Sequence, residues 1–143
     1  QPEQAAAPTA GASDAAIERL AHLAHPGSLV LLLSDFQQIS TAAEPALQAL
    51  SLHNDLIFGF LYDPLEGTPP PAGNYPITNR ESSWSVNTQE SSIKAQWAHR
   101  FESHREATQS LCRRHRGHWM EVSTDDSLPH TLQLGLQRRH RPR

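Results

Sequence analysis

The hydrophobic residues of this chain concentrate in three short segments, at residues 29–33, 55–63 and 118–123. The first is an unbroken aliphatic run, with no polar residue alternating along it. Such a run is typical of a parallel strand that helices cover on both faces. We therefore predict three core strands, and we expect the first of them to be buried on both sides.

Between these segments, apolar residues recur every three or four positions, which predicts four helices. Ile17, Leu20 and Leu23 share one face of the first helix. Asn54 and Gly117 follow the second and third helices, where we expect the left-handed conformation that ends many helices. The four helices cover approximately residues 13–25, 40–54, 91–116 and 124–139.

Two short β-prone segments, 75–79 and 82–88, predict a hairpin between the second core strand and the third helix. Strands that alternate with helices pair in parallel through right-handed crossovers. The predicted fold is a three-layer α/β/α domain with a parallel, Rossmann-like core sheet and an inserted β-hairpin. We assign residues 1–13 to a flexible lead-in, 14–140 to the domain and 141–143 to a tail.

Composition narrows the classes of function. The formal net charge of -3 gives no reason to expect binding to nucleic acid. The single cysteine excludes an internal disulfide. No apolar run approaches the roughly 20 residues that span a bilayer, so we expect no direct membrane insertion by this segment. The start at Gln1 and the composition of residues 1–13 lead us to expect a piece of a longer protein.

Ser34 and Asp35 directly follow the first predicted strand. Ligands of open parallel sheets bind outside the carboxyl ends of the strands, which is where these two residues lie. A carboxylate there can coordinate a hard cation or act as a base. One carboxylate and one hydroxyl do not complete a metal site, however, and Asp is also common as a cap in such turns.

Other candidate groups have plain structural alternatives. His22 and His25 are three residues apart, as are His115 and His118, but each pair straddles a helix end and no zinc motif is present. Cys112 lies on the apolar stripe of the long helix, as a buried free cysteine would. We interpret the arginines at 113–116 and the basic tail as charges that favour a helix C-terminus, and not as a phosphate site.

Trp84 lies in the second strand of the predicted hairpin. Tryptophan is enriched among the residues that dominate binding at protein interfaces, so Trp84 is a candidate interaction anchor if the hairpin protrudes. The alternative is that its ring packs the hairpin against the core.

Several segments of the chain, in this order, resemble a known bacterial family: HPGSLVLLLSDF, HND, YDPLE, PPAGNYPI, the helix that ends LCRRH, and STDDSLPHTLQLGL. Over roughly residues 15–140 they resemble the C-terminal half of the domain of unknown function 58, a von Willebrand factor A-like domain. The fourth strand of such domains ends in a Ser/Thr-Asp pair whose aspartate belongs to a metal-ion-dependent adhesion site. The resemblance implies that role for Asp35 and a weaker one for Ser34.

The main ligand motif of that site, Asp-x-Ser-x-Ser, is absent from this sequence, and its separate threonine ligand has no counterpart either. The implied site is therefore incomplete. We expect no cofactor in this segment, and Mg²⁺ only in the full-length parent protein.

The resemblance implies a non-enzymatic protein-interaction module that is cytoplasmic, belongs to a membrane-anchored parent and works with a MoxR-type AAA+ ATPase. The alternative is a hydrolase of the three-layer α/β type that uses Ser34 and Asp35 at the strand end. The sequence lacks the Gly-x-Ser-x-Gly turn of many such hydrolases. A receiver-like domain is less consistent still, because the acidic cluster of that class is missing.

The family topology also predicts an assembly. Its fourth strand pairs with its first strand, which has no counterpart here, so we expect Leu29–Ser34 to lie at a sheet edge. An aliphatic, uncharged edge without proline is a template for another chain. We therefore predict a homodimer in which Leu29–Ser34 pairs with its own copy. The competing outcome is that residues 1–13 or the C-terminal tail cover the edge.

Overall fold

The computed structural model describes residues 11–78 and 83–138. The strands are β1 (Leu29–Ser34), β2 (Asp55–Tyr62), β3 (Asn74–Thr78), β4 (Ser83–Asn87) and β5 (His118–Ser123). The helices are α1 (Ala12–Leu23), α2 (Glu44–His53), α3 (Pro64–Gly67), α4 (Ser91–Arg114) and α5 (Leu128–Arg138), and a 3-10 turn at Thr41–Ala43 precedes α2. The predicted lead-in and tail fall almost wholly outside the described residues.

The core sheet has three parallel strands in the order β1-β2-β5. Leu31 of β1 lies beside Ile57 of β2, and Ile57 lies beside His118 of β5. Strands β3 and β4 form a separate antiparallel hairpin, with Tyr75 opposite Val86. Helices pack on both sides of the sheet, so the predicted three-layer α/β/α class and the inserted hairpin are confirmed.

One face of the sheet, which we call the closed face, packs against α1, α2 and α4. Aromatic rings stack at its centre: Phe60 lies 5.4 Å from Trp119 between ring centroids, and Phe58 lies 5.5 Å from Phe36. The helices contribute mostly aliphatic side chains to the same cluster. Its buried members are Ile17, Val30, Phe36, Ala43, Leu47, Leu50, Leu56, Phe58, Phe60 and Cys112.

The opposite face, which we call the open face, has a smaller core of Ile57, Met120 and Val122, and Leu61 and Leu132 pack against it. Leu132 belongs to α5, and α5 lies over β2 and β5. Strand β1 extends beyond this helix. The expectation that the first strand is buried on both faces is therefore wrong, since its alternate residues differ sharply in exposure.

Several helix ends differ from the predictions. Leu23 is 74% exposed and does not belong to the buried face of α1. Asn54 is extended, with φ -134°, and not left-handed. Its side-chain oxygen accepts a hydrogen bond from the Ser28 backbone N–H at 3.0 Å, and its amide donates to the Leu50 carbonyl at 3.2 Å. Asn54 therefore ties the end of α2 to the start of β1.

The long helix ends on a left-handed residue, but that residue is Arg116, with φ 52°, and not Gly117. Gly117 is needed for a different reason. A side-chain carbon at this position would lie 2.6 Å from Cδ2 of Phe58. Carbon atoms cannot approach so closely, so the absence of a side chain is what lets α4 turn into β5 against the core.

No helix within residues 11–78 and 83–138 is long and apolar enough to cross a membrane.

Candidate functional site

The turn after β1 contains Ser34 and Asp35. Oδ1 of Asp35 accepts hydrogen bonds from the Gln37 backbone N–H at 3.1 Å and from the Ser34 hydroxyl at 3.4 Å. The Ser34 hydroxyl oxygen accepts a further bond from the Phe36 N–H at 3.0 Å. Both side chains thus close the turn locally, which is a usual role for Asp and Ser at such positions.

This turn places Phe36 in the core. Phe36 has a positive φ of 56°, a conformation that costs energy for a residue with a side chain. Its ring is nevertheless buried and stacks on Phe58. We conclude that burial of the ring and the hydrogen bonds of Ser34 and Asp35 together hold the strand end in this shape.

His104 of α4 approaches the same turn. Its Nε2 lies 2.7 Å from the carbonyl oxygen of Asp35, so Nε2 carries the proton and donates it. The ring also packs against Phe60, with a centroid distance of 5.7 Å. Sequence reasoning missed His104 because it lies far from Asp35 along the chain and belongs to no motif.

Ser34, Asp35 and His104 together do not make a nucleophilic relay. Such a relay needs an imidazole nitrogen that accepts the serine proton, and a carboxylate that orients the imidazole. Here the imidazole N–H binds a backbone carbonyl, and the Ser34 hydroxyl bonds to Asp35 and Phe36. These contacts stabilise a turn.

Metal ligands are not clustered in the part of the chain that the structure describes. No group of three or more His, Cys, Asp or Glu side chains there is arranged to hold an ion. His22 and His118 place ring nitrogens near the carbonyl oxygens of Glu18 and Gly135, at 2.7 Å and 3.0 Å. Asp35 and Ser34 therefore remain candidates for an incomplete site at most.

Two titratable groups are buried on the closed face. Burial raises the pKa of Cys112 to about 11, so its thiol stays protonated at neutral pH and behaves as an apolar group. His115 is 4% exposed, and neither ring nitrogen has a hydrogen-bond partner among the described residues. Burial lowers the pKa of His115, and the nearby Glu44 carboxylate partly opposes that effect.

A groove of about 610 Å³ lies beyond the carboxyl ends of β1 and β2. Its walls come from α3, β4, the first half of α4 and the turn after β1. The Trp97 indole N–H donates to the Leu65 carbonyl at 2.9 Å and fixes one wall. The volume is typical of small-molecule sites. The lining residues are Gln37, Glu66, Val86, Ile93, Gln96, Trp97, His99, Arg100 and Phe101.

The basic residues at the end of α4 contact side chains of α2 and of α4 itself. Arg114 forms an ion pair with Glu44 at 2.8 Å. Arg113 donates to the Ser110 hydroxyl at 3.0 Å. Trp84 pairs with Ile77 across the hairpin, but its side chain and the basic residues at 139–143 lie outside what the structure describes. The interaction-anchor hypothesis for Trp84 therefore stays a prediction.

An exposed aliphatic surface lies on β1. Leu29, Leu31 and Leu33 are 53%, 45% and 42% exposed, whereas Val30 between them is 5% exposed. We call these three side chains the leucine row; they lie side by side on the open face. Within the described residues, β1 pairs only with β2, so its other side is an edge.

Comparisons of this chain with models of known families, with curated proteins and with solved structures found no match. The resemblance to the domain of unknown function 58 therefore stays a prediction from the sequence. Any proposal of function rests on that resemblance and on the geometry of the sheet.

Proposed function

We propose that this chain is a non-enzymatic protein-interaction module, the C-terminal half of a von Willebrand factor A-like domain of the domain of unknown function 58. The observation that carries the proposal is the edge position of β1 with its leucine row exposed. An aliphatic, uncharged strand has the composition of a sheet interior. A domain whose first half supplies the neighbouring strand and covering helices would bury it.

The proposal extends to the metal. In the parent protein, Asp35 would be one ligand of a Mg²⁺ site, and the upstream Asp-x-Ser-x-Ser motif would supply others. Mg²⁺ prefers near-octahedral oxygen coordination, which a single carboxylate cannot provide. The described part of this chain accordingly offers one ligand position at the turn after β1. The hydrolase alternative has no contact in its favour among residues 11–78 and 83–138, because the Ser34 hydroxyl is engaged in that turn.

The partner and the location come from the resemblance alone. We propose a cytoplasmic domain of a membrane-anchored parent that binds a MoxR-type AAA+ ATPase. The direct test of the ATPase is sedimentation of the purified enzyme with the purified complete domain. Co-sedimentation is expected with the complete domain, and its absence would remove the ATPase from the proposal.

The metal experiment tests the half-domain itself. The chain is co-expressed with the segment that precedes it in its parent, and Mg²⁺ binding to the purified complex is measured by titration calorimetry. We expect a stable one-to-one complex that binds Mg²⁺, and Asp35→Ala should abolish this binding. The chain alone should bind Mg²⁺ with a dissociation constant weaker than micromolar, since micromolar strength needs several ligands.

Asp125→Ala is the matched control, because Asp125 is an exposed aspartate in the turn after β5, at the same carboxyl end of the parallel strands as Asp35. It should leave Mg²⁺ binding unchanged. Failure of the two segments to associate, or Mg²⁺ binding that survives Asp35→Ala, would contradict the half-domain proposal.

A further inference from the structure

We infer that the β1 edge is an interface for a second copy of this chain, in which two β1 strands pair antiparallel about a two-fold axis at Leu31. The inference rests on the edge itself and not on family membership. It concerns the chain of residues 1–143 on its own, so it is tested separately from the complete domain.

Half of the backbone N–H and C=O groups of β1 point away from β2, toward the edge. Alternate residues of a strand point their N–H and C=O groups to opposite sides. The Asp55 N–H donates to the Ser28 carbonyl at 2.9 Å, so Ser28 and every second residue after it face β2. The outward backbone groups of β1 therefore belong to Leu29, Leu31 and Leu33. The same three residues carry the exposed side chains of the leucine row.

The alternation of side chains between the two faces determines how the two copies of β1 align. Residues directly opposite each other in an antiparallel pair point to the same face, and a one-residue slip sends one row to the other face. A two-fold axis at Leu31 sets Leu31 against its own copy and Leu29 against Leu33 of the copy. All three members of the row then meet members of the row, with about six backbone hydrogen bonds.

Other registers that keep the faces matched are worse. An axis at Val30 would leave Leu33 opposite Gly27 of the copy, which has no side chain. An axis at Leu32 would leave Leu29 opposite the Asp35 carboxylate. With the axis at Leu31, Asp35 lies opposite Gly27, so no like charges face each other.

The usual protections of an edge are missing from β1. Natural edge strands carry lysine, proline or a bulge that prevents pairing with another chain. The sequence Leu29–Ser34, LVLLLS, has none of these residues. Self-pairing would give a continuous sheet of six parallel and antiparallel strands, with the row of each copy extending the open face of the other.

Symmetric cross-linking is a direct test. A residue on a two-fold axis faces itself, and Cα atoms of a hydrogen-bonded antiparallel pair lie about 5.5 Å apart, within the range of a disulfide. Leu31→Cys should therefore form a covalent dimer under mild oxidation. A mixture of Leu29→Cys and Leu33→Cys chains should form a mixed dimer faster than either variant alone. The native Cys112 is buried and does not compete.

Leu52→Cys is the matched control, because Leu52 is a leucine of α2 that is 55% exposed and lies away from β1. We expect its cross-linking to be at least about tenfold slower. Without cysteines, light scattering should show concentration-dependent dimerisation, with a dissociation constant on the order of tens of micromolar. Leu31→Lys should give a monomer with unchanged circular dichroism, because it sets two lysines against each other.

Cross-linking of Leu31→Cys no faster than that of Leu52→Cys would overturn the inference. A dimer that survives Leu31→Lys would do so too, since it would use another surface. A monomer at 100 µM, about severalfold above the expected dissociation constant, would overturn it as well. None of these results would alter the Mg²⁺ experiment on the complete domain.

Discussion

The two faces of the core sheet are built by the same three strands but differ in how they are covered. On the closed face, α1, α2 and α4 enclose Phe58, Phe60 and the other stacked rings. On the open face, α5 covers Ile57, Met120 and Val122, and the leucine row of β1 is left exposed. Alternate residues of β1 point to opposite faces of the sheet. Val30 is therefore buried on the closed face, while its neighbours Leu29 and Leu31 are exposed on the open face.

Because of this difference, the two faces are expected to contribute unequally to the free energy of unfolding. The closed face is filled by large stacked rings and buried aliphatic side chains, whereas on the open face the leucine row is partly exposed to water. Removing a buried side chain costs the protein the free energy of its transfer from water and also leaves a cavity in the core. Removing an exposed side chain costs little of either. Substitutions matched across the sheet should therefore have very unequal effects.

The largest contrast is expected between Phe58→Ala and Leu29→Ala. Phe58 is fully buried, so truncation of its ring should cost about 3–5 kcal/mol of unfolding free energy. Leu29 is 53% exposed, and its truncation should cost less than about 1 kcal/mol. Urea denaturation at low protein concentration measures both. Equal losses would mean that the leucine row is buried in solution.

A second contrast compares alanine substitutions at two glycines, Gly117 beside the closed face and Gly135 beside the open face. Alanine at 117 would meet the Phe58 ring at 2.6 Å and the Cys112 sulfur at 3.1 Å, so we expect a loss of about 1–3 kcal/mol. Alanine at 135 would meet the sulfur of Met120. A methionine side chain can move aside, and alanine favours a helix by about 1 kcal/mol over glycine. Gly135→Ala should therefore cost less unfolding free energy than Gly117→Ala in the same denaturation assay.

A smaller effect, on the pH dependence of the free energy of unfolding, is expected from His115, whose buried ring nitrogens have no hydrogen-bond partner among the described residues. Its pKa is lowered in the folded protein, so the unfolded chain binds a proton first as the pH falls below about 6.5. The free energy of unfolding should decrease from pH 7.5 to pH 5.5. His115→Leu should remove this part of the slope, and His53→Gln, at an exposed histidine, should retain it. A slope that His115→Leu leaves unchanged would assign the pH dependence to other groups.

The smallest effect on the free energy of unfolding is expected in the turn after β1, at Asp35. Asp35→Ala removes the acceptor for the Gln37 N–H, which should cost about 0.5–1.5 kcal/mol. Asp35→Asn keeps an acceptor oxygen in place and should retain most of the stability. If both variants are as stable as the unmodified chain, the carboxylate contributes nothing structural, which would favour its assignment as a ligand position.

The order of elements was predictable because it depends on local periodicity. The three core strands, the hairpin and four of the five described helices follow from the spacing of apolar residues, and the parallel arrangement of the core strands follows from the alternation of strands with helices. The short helix α3 at Pro64–Gly67 was not predicted. Leu47 and Leu50 are the buried residues of α2, and they lie three positions apart on one face of the helix. Such positions are determined by neighbours along the chain.

The exposed leucines and the contacts of the site were not predictable in the same way. Burial of Leu31 depends on whether α5 reaches β1, which no pattern within the strand encodes. The contact between His104 and Asp35 joins residues 69 positions apart. Gly117 was predicted to be the left-handed helix end, but its neighbour Arg116 takes that conformation, and position 117 needs glycine because the Phe58 ring leaves no space for a side chain there.

The parallel register has a consequence for the order of folding. Leu31 and Ile57 are joined by about 26 residues of chain, whereas Ile57 and His118 are joined by about 60, including the hairpin and α4. Closing the longer loop costs about 0.7 kcal/mol more in chain entropy. Contacts between distant residues also slow the search for the native state. We expect β1, α2 and β2 to assemble as an early nucleus, and β5 to join the sheet in the rate-limiting step.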